Sequence, residues 1–196
     1  MSRAPGYDRI EVLGRATEVF WDRGYGRTSM ADIVAATGLQ PGSLYAAFGS
    51  KKGMFLEVLD QYNDRFLLRL ERLSKEPRPA LDAIESLLLT TAEEALDDTD
   101  QRGCLAINAL LEMSGHEPDI AEHLLSHHAE VESVVASLIE KAQDEGDISR
   151  SRESHTLSAF LLNNLWGMRV VCRQRPDRDT LHAIVNSVVM ALRADP

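Results

Sequence analysis

The stretch Thr28 to Lys52 reads TSMADIVAATGLQPGSLYAAFGSKK, and its spacing predicts two short helices joined by a tight turn. Thr28 or Ser29 is suited to cap the first helix, because a hydroxyl oxygen there accepts from the free amides of the following turn. Met30, Ile33 and Val34 recur at helical spacing and give that helix one apolar face. Gly38 suits the left-handed residue that stops a helix, and Leu39 can fold back onto the apolar face behind it. Gln40-Pro41-Gly42-Ser43 opens the second helix, with Pro41 in the first turn, where its missing N–H is not needed. Leu44 and Phe48, four residues apart, point into the core and leave Gln40, Ser43, Ala46 and Ala47 outward.

That outward face has the chemistry of a helix that enters the major groove of duplex DNA. Such a helix needs small residues for close approach and a few side chains with both donors and acceptors. Gly42, Ala46 and Ala47 meet the first need, Gln40 and Ser43 the second. Tyr45 can offer a hydroxyl to a phosphate, and Lys51, just past the helix, can neutralise one. The candidate DNA-contacting residues are therefore Thr28, Ser29, Gln40, Pro41, Gly42, Ser43, Tyr45 and Lys51. A helix-turn-helix corner is also a common structural unit. The competing reading is a helical ligand-binding or protein-interaction module in which the motif is merely structural.

The wording around the motif is specific. Ile10, Val12, Leu13, Ala16 and Val19 lead into Phe20-x3-Gly24-Tyr25-x2-Thr28-Ser29-Met30-x-Asp32-Ile33. Then comes Gly38-Leu39-x-Pro41-Gly42-Ser43-Leu44-Tyr45-x2-Phe48-x-Ser50-Lys51. This run closely resembles the N-terminal domain of the TetR family of transcriptional regulators. The resemblance implies a homodimer that binds a palindromic operator and is released by a small-molecule effector. Ala46-Ala47 departs from the many family members that carry His or an aromatic residue there, so fewer contacts are available from those positions.

Composition agrees once the chain is divided. The net charge of the 196 residues is −10. Residues 1–72 carry 10 Lys and Arg against 9 Asp and Glu, while residues 73–196 carry 11 against 22. The acid sits outside the proposed DNA-binding part and discourages contact of the rest with DNA. No apolar run approaches the ~18 residues of a membrane span. The N-terminus, MSRAPGYDR, lacks the apolar core of a signal peptide. Two cysteines, Cys104 and Cys172, are too few for a disulfide scaffold and fit a reducing cytoplasm.

The remaining pattern is helical throughout, giving an all-α chain of about nine helices. The first helix spans about 7–24, with Ile10, Leu13, Ala16, Val19 and Phe20 inward; Gly14 within it costs about 1 kcal/mol against Ala and can permit close packing. A long helix, 51–73, is capped by Ser50 and ended by the prolines at 77 and 79. It links a DNA-binding domain, 1–52, to a ligand-binding and dimerisation domain, 53–196. Further helices are expected at 80–97, 104–113, 119–145, 151–173 and 177–193.

The last two of these carry more apolar residues than one stripe needs. Leu161, Leu165 and Met168, with Leu181, Val185, Val188 and Leu192, are assigned to a four-helix interface between two subunits. Tyr62, Phe66, Cys104, Asn108, Glu112, Met113, Asn163 and Trp166 are polar, aromatic or thiol groups on otherwise apolar middle helices, and are the candidate effector contacts. Cys104 also starts a helix beside Arg102, a setting that favours a thiolate. His123 and His127 stand four apart, but no third ligand with suitable spacing accompanies them. No metal, cofactor or catalytic residue is expected: there is no Gly-rich phosphate loop, nucleophile elbow or zinc-protease motif.

Overall fold

In the computed structural model, residues 7–113 and 115–193 are described, with Cys172 described for its backbone only. Among these, nine α-helices follow one another: α1 Arg9–Arg23, α2 Met30–Thr37, α3 Pro41–Phe48, α4 Lys51–Lys75, α5 Ala80–Asp97, α6 Leu105–Met113, α7 Pro118–Glu145, α8 Ser154–Val171 and α9 Arg178–Leu192. A short 3₁₀ turn, Cys172–Gln174, follows α8.

The chain folds as two compact units. The first comprises residues up to Asn63 together with Leu105–Leu124. The second comprises Asp64–Cys104 and Leu125 onward. The break expected at residue 52 therefore falls later, inside α4. Met54, Phe55, Val58 and Leu59 from the first half of that helix are buried with Phe20, Ile33 and Leu44, which keeps those turns with the motif.

The first unit is built on a tight aromatic and aliphatic core. Phe20 packs against Phe55 with ring centroids 4.8 Å apart, and Tyr25 lies 5.0 Å from Phe55. Leu105, Ala109 and Met113 of α6, with Ile120 and Leu124 of α7, close the same core. The buried stripe of α1 is Val12, Leu13, Ala16, Thr17 and Phe20. Ile10, expected inward, is 68% exposed, because it lies in the first turn to the side of that stripe. A methyl group added at Gly14 meets nothing within 4 Å, so close packing is not the reason for this glycine.

The second unit is a bundle of α5, α8 and α9 with the later turns of α4 and α7. Its core includes Leu70, Ile84, Leu88, Val135, Ile139, Leu161 and Leu181, all essentially inaccessible. Polar bonds tie its elements where apolar packing ends. The α5 amide of Ala80 donates to Glu145 at 2.6 Å, and Ser158 Oγ donates to the Glu132 carbonyl at 3.0 Å. No helix among the described residues is long and apolar enough to cross a membrane.

Candidate nucleic-acid interface

Helix α2 starts at a reciprocal cap. Ser29 Oγ accepts from the Asp32 amide at 3.2 Å, and the Asp32 carboxylate accepts from the Ser29 amide at 2.9 Å. The Ser29 hydroxyl bond, more than any other contact, holds the Asp32 carboxyl below its ordinary value, with Arg23 adding to the effect. The helix ends at Gly38, whose φ of 72° is the left-handed conformation that glycine adopts without strain. Ser29 is thus the cap, and Thr28 is not.

Gln40 begins α3 without using its side chain as a cap. Gln40, Pro41, Gly42, Ser43 and Ala46 are all exposed, and Tyr45 is 50% exposed. Leu44 and Phe48 anchor the opposite side in the core. The amide-bearing side chain, the hydroxyls and the small residues therefore share the free side of one short helix. This is the arrangement that close approach to base edges requires.

Two expected DNA contacts are committed elsewhere. Thr28 is only 2% exposed, and its hydroxyl donates to the Gly24 carbonyl at 2.6 Å. Lys51 turns inward. Its ammonium donates to the Tyr25 and Thr28 carbonyls, both at 2.9 Å, and lies 4.2 Å from the centre of the Tyr25 ring. An ammonium held by two carbonyls and an aromatic face ties the α1–α2 turn to the start of α4. Arg27 is a further candidate that the motif does not include. It is exposed two residues before the cap of α2, near where helix N-termini meet phosphates, with its Nε donating to the Arg23 carbonyl at 2.9 Å; a lone basic residue at that offset is the signal in the sequence.

The candidate effector contacts divide between the units. Tyr62, Asn108, Glu112 and Met113 belong to the first, and Phe66, Cys104, Asn163 and Trp166 to the second. Glu112 is bonded to the backbone of the α1–α2 turn, Met113 is buried in the first unit's core, and Asn163 is exposed. Tyr62 meets Trp21 edge to face at 5.3 Å, and Trp166 lies 4.7 Å from the His128 ring. Cys104 is half-buried.

The seven residues expected between subunits are also spent internally. Leu161, Leu165, Met168, Leu181, Val185, Val188 and Leu192 are all buried in the second unit's own core. The exposed residues of α8 include Ala159, Phe160, Asn163 and Val170, and those of α9 include Ala183, Asn186, Ser187 and Met190.

Two family models cover this architecture. Residues 12–58 match "Bacterial regulatory proteins, tetR family", and residues 80–188 match "Tetracyclin repressor-like, C-terminal domain". The chain belongs to the TetR family. This TetR-family chain is 32% identical over 184 residues to the HTH-type transcriptional repressor ComR of Escherichia coli, covering 93% of its own length and 88% of ComR. It is 25% identical over 193 residues to the HTH-type transcriptional repressor DhaR of Mycobacterium sp., covering 98% and 94% of the two chains. Among solved structures, it is similar to the TetR family regulator CifR, a cysteine mutant complexed with 26 bp operator DNA. That match has a TM-score of 0.84 and 30% identity, covering 97% of this chain and 100% of that one. As a TetR-family member, the chain is a DNA-binding transcriptional regulator.

Proposed function

We propose that the protein is a cytoplasmic homodimeric repressor that reads a palindromic operator through α3 and leaves it when the second unit takes up a small molecule. The observation that carries the DNA-reading part is the free side of α3, where Gln40, Ser43 and Tyr45 are exposed around small residues while Leu44 and Phe48 hold the helix in the core. The operator complex of CifR supports the same use of this head. Ser29, Arg27 and the first turn of α2 supply phosphate contacts beside it. Two heads reading half-sites one helical turn apart need a separation of ~34–36 Å, which a dimer sets.

The outer sides of α8 and α9 are the proposed subunit contact. Phe160, 37% exposed, and Met190, 74% exposed, stand among alanines, a serine and asparagines, a mixture that lets helices approach closely. The likeness of residues 80–188 to tetracyclin-repressor C-terminal domains supports a small-molecule effector. Regulation follows if the effector binds better to a dimer with the wrong head spacing than to the DNA-bound one; a coupling of ~1–3 kcal/mol suffices.

Selection of bound duplexes from a random pool, repeated with Gln40→Ala and Ser43→Ala, tests the reading face. Each variant is expected to shift base preference at one position by ~1–3 kcal/mol. Wild-type preference in both variants would remove α3's free side as the reader.

A further inference from the structure

The turn between α1 and α2 is gripped by two opposite charges. The Tyr25 amide donates to Glu112 Oε2 at 2.9 Å, and the Gly26 amide donates to Glu112 Oε1 at 2.7 Å. From the other direction, Lys51 Nζ donates to the Tyr25 carbonyl at 2.9 Å. The peptide between Tyr25 and Gly26 is therefore held at both ends, its carbonyl by an ammonium and its N–H by a carboxylate. Each bond is charge-assisted and of the stronger class.

The glycines on either side of Tyr25 make the carboxylate's seat. A methyl group on Gly24 would lie 2.7 Å from Glu112 Oε2, and one on Gly26 would lie 3.0 Å from Oε1. Successive amides converging on an anion form the kind of concavity that elsewhere binds phosphate. Here the chain fills it with its own side chain, 86 residues away from Gly26 in sequence. Glu112 reaches it from α6, whose Leu105, Ala109 and Met113 are buried in the same core as Phe20 and Ile33.

We propose that Glu112 is a positioning residue for operator binding. It fixes the α1–α2 turn, and through that turn the capping Ser29 and the α2–α3 pair, in the geometry that docks on DNA. This rests on α3 being the reading helix, because only then does the turn's setting control affinity.

Glu112→Gln tests it with little change of volume. The variant loses the charge and places an amide N–H where one backbone N–H needs an acceptor. Affinity for a duplex selected by the wild type is expected to fall about ten-fold or more, measured at a temperature where circular dichroism shows full folding. Because no phosphate contact is removed, the dependence on salt should keep its slope. Amide exchange at Tyr25 and Gly26 should accelerate.

Gly26→Ala is the second variant: it crowds the carboxylate without removing it and should give a similar loss. Combining the two should cost little more than the larger single effect. The exposed neighbour Leu111→Gln should bind normally. If folded Glu112→Gln, or folded Gly26→Ala where the first variant does not fold, bound with wild-type affinity, the carboxylate would only be holding the fold together and the proposal would be overturned. Failure of the α3 reading has a different signature, namely unchanged base preference in Gln40→Ala and Ser43→Ala.

Discussion

The ammonium of Lys51 sits 4.2 Å above the ring of Tyr25 while bonding the Tyr25 and Thr28 carbonyls. The residue that sequence logic sends to a phosphate is thus a brace for the turn that feeds α2. Lys51→Met should lower operator affinity together with thermal stability and leave the salt slope unchanged. A lost phosphate contact would instead reduce that slope by about 1. Titrations at several salt concentrations separate the two.

Gly14 is the site of an expected gain. It lies inside α1, and an added methyl meets nothing within 4 Å. Gly14→Ala should stabilise the first unit by roughly 0.5–1 kcal/mol through reduced freedom of the unfolded chain. Chemical denaturation of the two proteins side by side checks it, and a loss of stability would show that the helix needs the glycine.

Acid should weaken both capped helices. The Asp32 carboxyl is held low chiefly by the Ser29 hydroxyl, and that of Asp177, at the start of α9, by its bonds from Thr180. A folded value below the unfolded one gives stability that is complete above the ordinary value of 3.8 and is lost as pH falls through the lowered one. The thermal midpoint should therefore drop on acidification below that range. Asp177→Ala should start lower at neutral pH, and its gap to the wild type should narrow with acid.

Two substitutions on α9 should behave in opposite ways. Val185 is fully buried and Met190 is 74% exposed. Val185→Glu places a charge in the core and should unfold the second unit. Met190→Glu should leave the helices intact while reducing solution mass to that of a monomer and weakening operator binding. A folded Met190→Glu dimer with full affinity would remove the outer side of α9 from the subunit contact.

Helix positions were legible because the apolar residues recur at 3.6-residue spacing and glycine or proline marks most of the ends. The free side of α3 was legible for the same reason, since Leu44 and Phe48 fix which way the rest of that short helix points. Thr28 and Lys51 were not. Their chemistry suits a phosphate, and only the turn at Gly24–Tyr25, brought against them by folding, shows that their polar groups are taken. The apolar surplus on α8 and α9 was real, but leucine and valine name no partner: the seven residues assigned across an interface fill one internal face. Nothing in Glu112's neighbourhood in sequence points to residues 25 and 26, because long-range pairing leaves no local spacing to read.

The apolar docking of α6 into the first unit has a consequence for how the molecule is made and remade. A ribosome releasing this chain from its N-terminus delivers the motif early, but the core around Phe20 lacks its last wall until residue 124 has emerged. The head's core is complete only after Asp64–Cys104 of the second unit, its smaller segment, has been synthesised. The same holds for protein engineering: a chimera cut once after the motif would transplant an unfinished head. A faithful exchange of DNA specificity must carry two pieces of chain, the second reaching from Leu105 to Leu124.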